Sequence, residues 1–165
     1  SCVFLSISGV SSFSGVQLNF SPASLATQWS KCYSAEYGDP MGTSNLPSIL
    51  SRCNGSKLLL GCRPVGNSLL TVAAMGNRAD VLYDCGTILN CTKPANDVEW
   101  YFSDVYSWGF ARSGDSVNRS SCDASTTNAI YRLCWHTENN GGHRCGNTTF
   151  INSATDWEKV IYHMI

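Results

Sequence analysis

The sequence predicts a mainly β, disulfide-stapled, β-sandwich-like domain with one or two short helices near its amino-terminal third. Short apolar segments recur along the chain between glycine, proline and asparagine residues, which is typical of strands joined by turns. Nine cysteines occur in 165 residues, and in a secreted domain this density indicates a disulfide framework. A chain of this length can bury one substantial core.

The first 20 residues form a distinct segment. Apolar side chains alternate with their neighbours in two stretches: Val3, Leu5 and Ile7, then Val16, Leu18 and Phe20. This period of two predicts two strands or one broken strand. We therefore divide the chain into an N-terminal β segment, residues 1–20, and a disulfide-rich, mainly β domain, residues 21–165.

Two short helices are predicted next. Ser21 as a cap and Pro22 at the first helical position favour a helix that extends to Trp29. A second helix is predicted over residues 46–52, with Ser44 or Asn45 as its cap.

Turn residues divide the rest of the chain into strands. The predicted strands cover residues 57–63, 68–75, 79–83, 98–103, 130–135 and 157–164. Strands at such short spacing favour a sandwich-like arrangement of sheets.

The cysteines contain no C-x-x-C pair, which argues against a thioredoxin-type redox site and against most zinc knuckles. Spacing favours four disulfides, for which we predict the pairs Cys32–Cys53, Cys62–Cys122, Cys85–Cys91 and Cys134–Cys145. Cys2 is then left over. It is either an unpaired thiol or forms a bond to a neighbouring subunit or to an upstream segment.

Charge and composition exclude several classes of partner. The net charge is −1 and charged residues make up only 14% of the chain, against roughly 25% in ordinary soluble domains. No cluster of basic residues is present, so we expect no nucleic-acid binding. No apolar stretch reaches about 18 residues, so we expect no insertion into a membrane. We also expect no cofactor.

Five N-x-[ST] sequons predict N-linked glycans. They begin at Asn19, Asn54, Asn90, Asn118 and Asn147. Pro22 follows the first sequon and is expected to hinder glycosylation there, and Asn90 lies beside Cys91. Asn54, Asn118 and Asn147 are therefore the stronger predictions. Sequons and cysteines together indicate an extracellular or cell-surface location.

The segment from Trp100 to Phe110 is the richest in aromatic residues. In one continuous strand, Trp100, Asp104 and Trp108 would share a face. Two interpretations remain open. The aromatic rings with Asp104 can form a sugar-binding surface, or they fill the core between two sheets, with Trp135 and Trp157 beside them.

Catalytic and metal-binding motifs are absent from the sequence, so we expect no enzyme and no metal site. His136 and His143 flank a glycine-rich turn with Glu138 between them, but no third ligand follows at a useful spacing. Asp80 and Asp84 are the best candidates for a calcium site, and turn residues that bond their own backbone are the simpler interpretation.

The amino-terminal segment has two interpretations. Its strand packs within its own chain, or it pairs with the next subunit, where main-chain hydrogen bonds supply affinity. The assembly residues in the second case are Val3, Phe4, Leu5 and Ile7. Such head-to-tail donation does not close on itself and generates filaments.

Several short motifs occur in order between residues 29 and 162. They include Ala79-Asp-Val-Leu-Tyr-Asp84, Tyr101-Phe-Ser103, Ser107-Trp-Gly-Phe110, Arg132-Leu-Cys-Trp-His136, Gly141-Gly-His-Arg-Cys-Gly146 and Trp157-Glu-Lys-Val-Ile-Tyr162. In these motifs the chain resembles a family of uncharacterised, secreted cysteine-rich domains in surface proteins of aquatic animals and protists. The resemblance implies an extracellular or cell-surface location. It implies no activity, and it does not cover residues 1–28.

The sequence therefore predicts an extracellular structural or adhesion glycoprotein that self-assembles into a surface fibre or matrix through its N-terminal strand. We expect a homo-oligomer or filament as its assembled form. The alternative is a lectin-like, carbohydrate-binding module. A secreted hydrolase or toxin is a weaker alternative.

Overall fold

The computed structural model describes residues 9–42, 44–138 and 141–165. These residues form eleven strands and two α-helices. In chain order they are β1 (Gln17–Phe20), β2 (Trp29–Glu36), α1 (Leu46–Arg52), β3 (Lys57–Pro64), β4 (Leu70–Asn77), α2 (Arg78–Val81), β5 (Lys93–Ala95), β6 (Val98–Phe102), β7 (Ser107–Arg112), β8 (Leu133–His136), β9 (Arg144–Cys145), β10 (Thr148–Thr149) and β11 (Trp157–Met164).

The strands form two sheets in which every neighbouring pair is antiparallel. The first sheet has the order β1-β4-β3-β11-β2, and the second has the order β10-β9-β8-β7-β6-β5. The last strand of the chain, β11, therefore lies inside the first sheet between β3 and β2. The predicted mainly β, sandwich-like, disulfide-stapled fold is confirmed.

Aromatic side chains fill the space between the sheets. Trp100, Phe110, Trp108 and Trp135 are fully buried. Trp108 and Trp135 meet edge to face with ring centroids 5.6 Å apart, which is a favoured geometry for aromatic pairs. Helix α1 contributes two further buried side chains, Leu46 and Ile49, to the same cluster.

Each sheet is also covered on its outer face. The segments on either side of β1, residues 10–16 and 21–28, cover the first sheet, where Phe13 and Leu25 pack against a cluster that contains Trp29. Residues 113–128 cover the second sheet, where Val117 and Cys122 are buried against strands β6–β8. Because both faces of both sheets are covered, runs such as Leu58–Leu60 are apolar at every position rather than at alternate ones.

Several predicted elements differ from the structure. Residues 22–29 form only a 3-10 turn, Pro22–Ser24, and Trp29 begins β2 instead. Pairing of β2 with β11 outweighs the local helix signal there. The helix α2, Arg78–Val81, replaces the strand predicted over 79–83, and β8 begins at Leu133 after another 3-10 turn. The helix over 46–52 and the strand that contains Leu18 and Phe20 are confirmed.

Two of the four predicted disulfides are confirmed, Cys32–Cys53 and Cys85–Cys91. The other two were wrong, since the structure pairs Cys62 with Cys145 and Cys122 with Cys134.

The reason is the pleat of the second sheet. Cys145 lies opposite Leu133 in the register of β8 and β9, whereas Cys134 lies opposite Arg144. Cys134 and Cys145 therefore point to opposite faces. Cys145 faces the core and reaches β3, while Cys134 faces the outer layer and reaches Cys122.

Candidate functional site

Strand β2 is the open end of the first sheet. Among the residues that the structure describes, it pairs with β11 on one side only. The backbone N–H of Tyr37, just beyond β2, donates to the carbonyl of Trp157 at 2.8 Å. Hydrogen-bonded and non-hydrogen-bonded pairs alternate along an antiparallel ladder. Tyr37 is a hydrogen-bonded position, so Ala35 and Tyr33 are hydrogen-bonded positions as well. The backbone N–H groups of Ser34 and Glu36, which alternate with them, therefore point away from β11.

These outward groups have no hydrogen-bond partner within the part of the chain that the structure describes, except that the Glu36 carbonyl accepts from the N–H of Asp39 at 3.0 Å. The side chains of Ser34 and Glu36 are exposed as well. An open ladder of this kind is a template on which another strand can pair.

Helix α1 lies beside this edge and turns it into a groove. The disulfide Cys32–Cys53 joins β2 to the residue that follows the helix. Tyr33, Ala35, Ile49 and Arg52 line the space between the strand and the helix. We call this surface, together with the outward backbone of residues 33–36, the β2 groove.

Tyr33 is the aromatic wall of the β2 groove. The Arg52 guanidinium carbon lies 5.9 Å from its ring centroid, which is within cation–π range. Burial, helped by the nearby carboxylate of Asp39, raises the pKa of Tyr33 to about 12. The phenol therefore stays protonated at neutral pH and remains a hydrogen-bond donor.

The other sheet ends are poor templates by comparison. β1 has four residues and includes Asn19 at φ 52°, a left-handed conformation that breaks the ladder. β5 has three residues and includes Pro94, and β10 has only two. β2 has eight residues. Lys31 and a register shift near Cys32 protect its first half, as is common for sheet edges, so residues 33–36 form its regular open part.

The predicted sugar-binding residues do not form a surface. The segment from Trp100 to Phe110 is a hairpin, β6 and β7, rather than one strand. Trp100 and Trp108 are both 0% exposed and lie between the sheets, so neither can stack on a sugar ring. Asp104 is exposed in the turn of the hairpin. The interpretation of these tryptophans as core residues is confirmed.

The histidines and aspartates do not form a ligand cluster. No group of three or more metal-ligating side chains occurs among residues 9–42, 44–138 and 141–165. Burial lowers the pKa of His136, and burial also lowers the pKa of His143. Asp84 lies 3.5 Å from the Arg119 guanidinium, whereas Asp80 lines a different recess near Lys57.

All five sequon asparagines are exposed: Asn19, Asn54, Asn90, Asn118 and Asn147. The surface therefore leaves each of them accessible to a glycosylating enzyme, and occupancy stays a prediction. The cysteine and assembly residues Cys2, Val3, Phe4, Leu5 and Ile7 lie outside the described residues.

Sequence reasoning missed β2 itself. The alternation of Tyr33, Ala35 and Tyr37 with Ser34 and Glu36 is a period-two pattern that would have indicated a strand. No local sequence pattern indicates that this strand lies at the edge of the sheet.

Sequence reasoning also missed a set of fully buried cations. They are Arg119, Arg132, Arg144 and Lys159. Buried basic residues carry no distinctive local pattern, because their partners here are mostly backbone carbonyls of distant loops.

No protein-family model matches the chain, and no curated protein or solved structure matches it either. The resemblance to secreted cysteine-rich surface domains therefore stays a prediction. Within the described part of the chain, no helix is long and apolar enough to cross a membrane.

Proposed function

We propose that this protein is an extracellular structural or adhesion glycoprotein that assembles into a surface fibre or matrix by strand addition. The N-terminal segment of one copy pairs with the β2 groove of the next copy. The observation that carries the proposal is the open edge of β2, whose outward backbone groups at Ser34 and Glu36 have no strand partner among the described residues.

The composition of the N-terminal segment suits a donor strand. Residues 1–30 contain no Asp, Glu, Lys or Arg, and Lys31 is the first charged residue. Residues 2–7 contain neither proline nor glycine, and their β-branched and aromatic residues favour extended pairing. A neutral strand can enter the β2 groove without leaving a buried charge unpaired.

The extracellular location is supported by two features of the body of the protein. Four disulfides are formed, and such bonds persist in oxidising compartments. The five exposed sequons fit a surface that is hydrated by glycans. A head-to-tail contact between different surfaces of two copies propagates into a filament unless the rotation closes a ring.

The test uses two full-length variants with complementary defects. Ser34→Pro removes an outward N–H and leaves the ladder to β11 intact, because the native Ser34 N–H does not point toward β11. Leu5→Lys/Ile7→Lys places charges on the donor face. Deleting all of residues 1–20 is less suitable, because Phe13 and Phe20 cover the outer cluster of the first sheet.

We expect the wild-type secreted protein to form concentration-dependent oligomers in light scattering and filaments in electron micrographs. Each variant alone should be a folded monomer, as judged by near-ultraviolet circular dichroism. An equimolar mixture should form a one-to-one dimer, because Ser34→Pro still donates and Leu5→Lys/Ile7→Lys still accepts. Ser34→Ala is the matched control and should assemble like wild type. Unchanged assembly of Ser34→Pro would contradict β2 as the acceptor.

A further inference from the structure

A second surface lies where the small disulfide loop closed by Cys85–Cys91 meets the turn of the β6–β7 hairpin. Arg119 holds the two together. Its guanidinium donates to the carbonyls of Gly86, Ile88 and Phe102. The same side chain is fully buried, and its guanidinium carbon lies 5.6 Å from the ring centroid of Tyr106.

The disulfide loop and the hairpin turn, which are held together in this way, both carry aliphatic side chains that are exposed to solvent. Ile88 and Leu89 in the disulfide loop are 56% and 42% exposed, and Val105 in the hairpin turn is 48% exposed. The disulfide and Arg119 reduce the entropy that the two loops would lose on binding.

An apolar recess opens between α1 and this hairpin. Leu46, Pro47 and Leu50 of the helix and Phe102 of β6 line a volume of about 340 Å³. This volume falls at the small end of the range of ligand sites, which is about 300–1,000 Å³. Asp84 and Asp104 complete its lining. We call these six residues the α1–hairpin recess.

The charges of the recess decide what fits it. Among the described residues, Asp84 and Asp104 are the charged ones that line it. A guanidinium nitrogen of Arg119 lies 3.5 Å from a carboxylate oxygen of Asp84. Asp104, in contrast, is exposed and has no ion-pair partner among the described residues. A partner that brought a carboxylate to this recess would face Asp104, which is repulsive. A partner with a cation beside its apolar group is favoured instead.

We propose that the α1–hairpin recess binds a peptide segment in which an apolar side chain lies next to a lysine or arginine. The apolar side chain contacts Leu50 and Phe102, and the cation pairs with Asp104. This site is independent of strand addition at the β2 groove, because the two surfaces use different residues of the chain. On an assembled fibre, each copy would then bind such a peptide segment of another extracellular protein at its α1–hairpin recess.

The test compares two tetrapeptides that differ in one charge, acetyl-Gly-Leu-Lys-Gly-amide and acetyl-Gly-Leu-Glu-Gly-amide. Saturation-transfer difference NMR with the unlabelled, glycosylated protein reports whether the leucine methyl groups contact it. We expect a signal with the lysine peptide, and a signal at least about 3-fold weaker with the glutamate peptide. Added salt should weaken binding of the lysine peptide.

Two variants locate the contact. Asp104→Asn, in an exposed turn, should weaken binding of the lysine peptide by about 3–5-fold, which is the effect of one exposed ion pair. Asp156→Asn, an exposed carboxylate outside the recess, is the matched control and should leave binding unchanged. Equal binding of the two peptides, absence of binding, or an Asp104→Asn variant that binds as well as wild type would each overturn the proposal.

Discussion

Lys159 is a cation placed in the interior by a strand that passes between two others. It lies in β11 opposite Ala35 and Cys62, and its side chain is fully buried. Its ammonium group donates to the backbone carbonyls of Asp39 and Gly141. These two bonds join loops that are far apart in sequence, but no carboxylate forms a salt bridge with the ammonium group among the described residues.

This burial predicts a pH dependence of stability. Burial lowers the pKa of Lys159 from 10.5 to about 7, although Asp39 opposes the shift. Between these two values the unfolded chain binds a proton that the folded protein does not bind. The free energy of unfolding should therefore rise with pH from about 7 toward 10.5. In the other direction, this stability is lost as the pH falls from 10.5, and the loss is complete once the pH is below about 7.

Urea unfolding at pH 7, 8 and 9 checks the effect. In Lys159→Met the rise with pH should be smaller than in wild type, because the titrating group is absent. Lys31→Met, which changes an exposed lysine, is the control and should keep the wild-type slope. The same slope in wild type and Lys159→Met would show that another group titrates.

At the scale of elements, β7 depends on a glycine. Gly109 lies between Tyr101 of β6 and Cys134 of β8 in the sheet register. A Cβ atom there would lie 2.0 Å from the carbonyl oxygen of Leu133 and 2.7 Å from the hydroxyl oxygen of Tyr101. The missing side chain lets the Tyr101 hydroxyl cross the strand and donate to that carbonyl at 3.0 Å.

Gly109→Ala should therefore lower the free energy of unfolding by about 3 kcal/mol, at the upper end of the cost of overpacking, since the atom it meets is backbone. Gly61→Ala in β3 is the comparison. The atom nearest its added Cβ is a Leu70 side-chain methyl carbon, which can rotate away. Chemical denaturation of both variants measures the difference, and equal losses would argue against a backbone clash at Gly109.

Elements with a clear period and clear boundaries were predictable from sequence. The strands at 57–64, 98–102 and 157–164 and the helix at 46–52 are where local patterns indicated them. The face shared by Trp100 and Trp108 was also predicted, although a hairpin rather than one strand creates it and Asp104 lies in the exposed turn instead. The reason is that every second residue of a strand faces the same side of the sheet, and in both strands of the hairpin these residues face the core, Trp100 in β6 and Trp108 in β7.

At the scale of the whole molecule, the disulfides differ in what they hold. Cys62–Cys145 joins β3 of the first sheet to β9 of the second and closes 83 residues of chain. Cys85–Cys91 closes only 6 residues within one loop. In the chain-entropy account, a bridge stabilises more when the loop that it closes in the unfolded state is longer.

Removing the inter-sheet bridge with Cys62→Ala/Cys145→Ala should lower the free energy of unfolding by about 4.5 kcal/mol, against about 2 kcal/mol for Cys85→Ala/Cys91→Ala. Thermal or urea unfolding under non-reducing conditions gives both values. If removal of Cys85–Cys91 lowered the free energy of unfolding more than removal of Cys62–Cys145, the ranking by loop length would be wrong.

The sequence by itself determined the mainly β class, the eight cysteines of the body and the aromatic core, because period-two patterns and turn residues act over a few positions. Only the tertiary structure decided which cysteines pair, since the faces of Cys134 and Cys145 depend on the register of β8 and β9. It also decided that, among the described residues, β2 is an open edge of its sheet. Strand order is set by long-range pairing with β11, and no local pattern around Tyr33 or Ser34 records it.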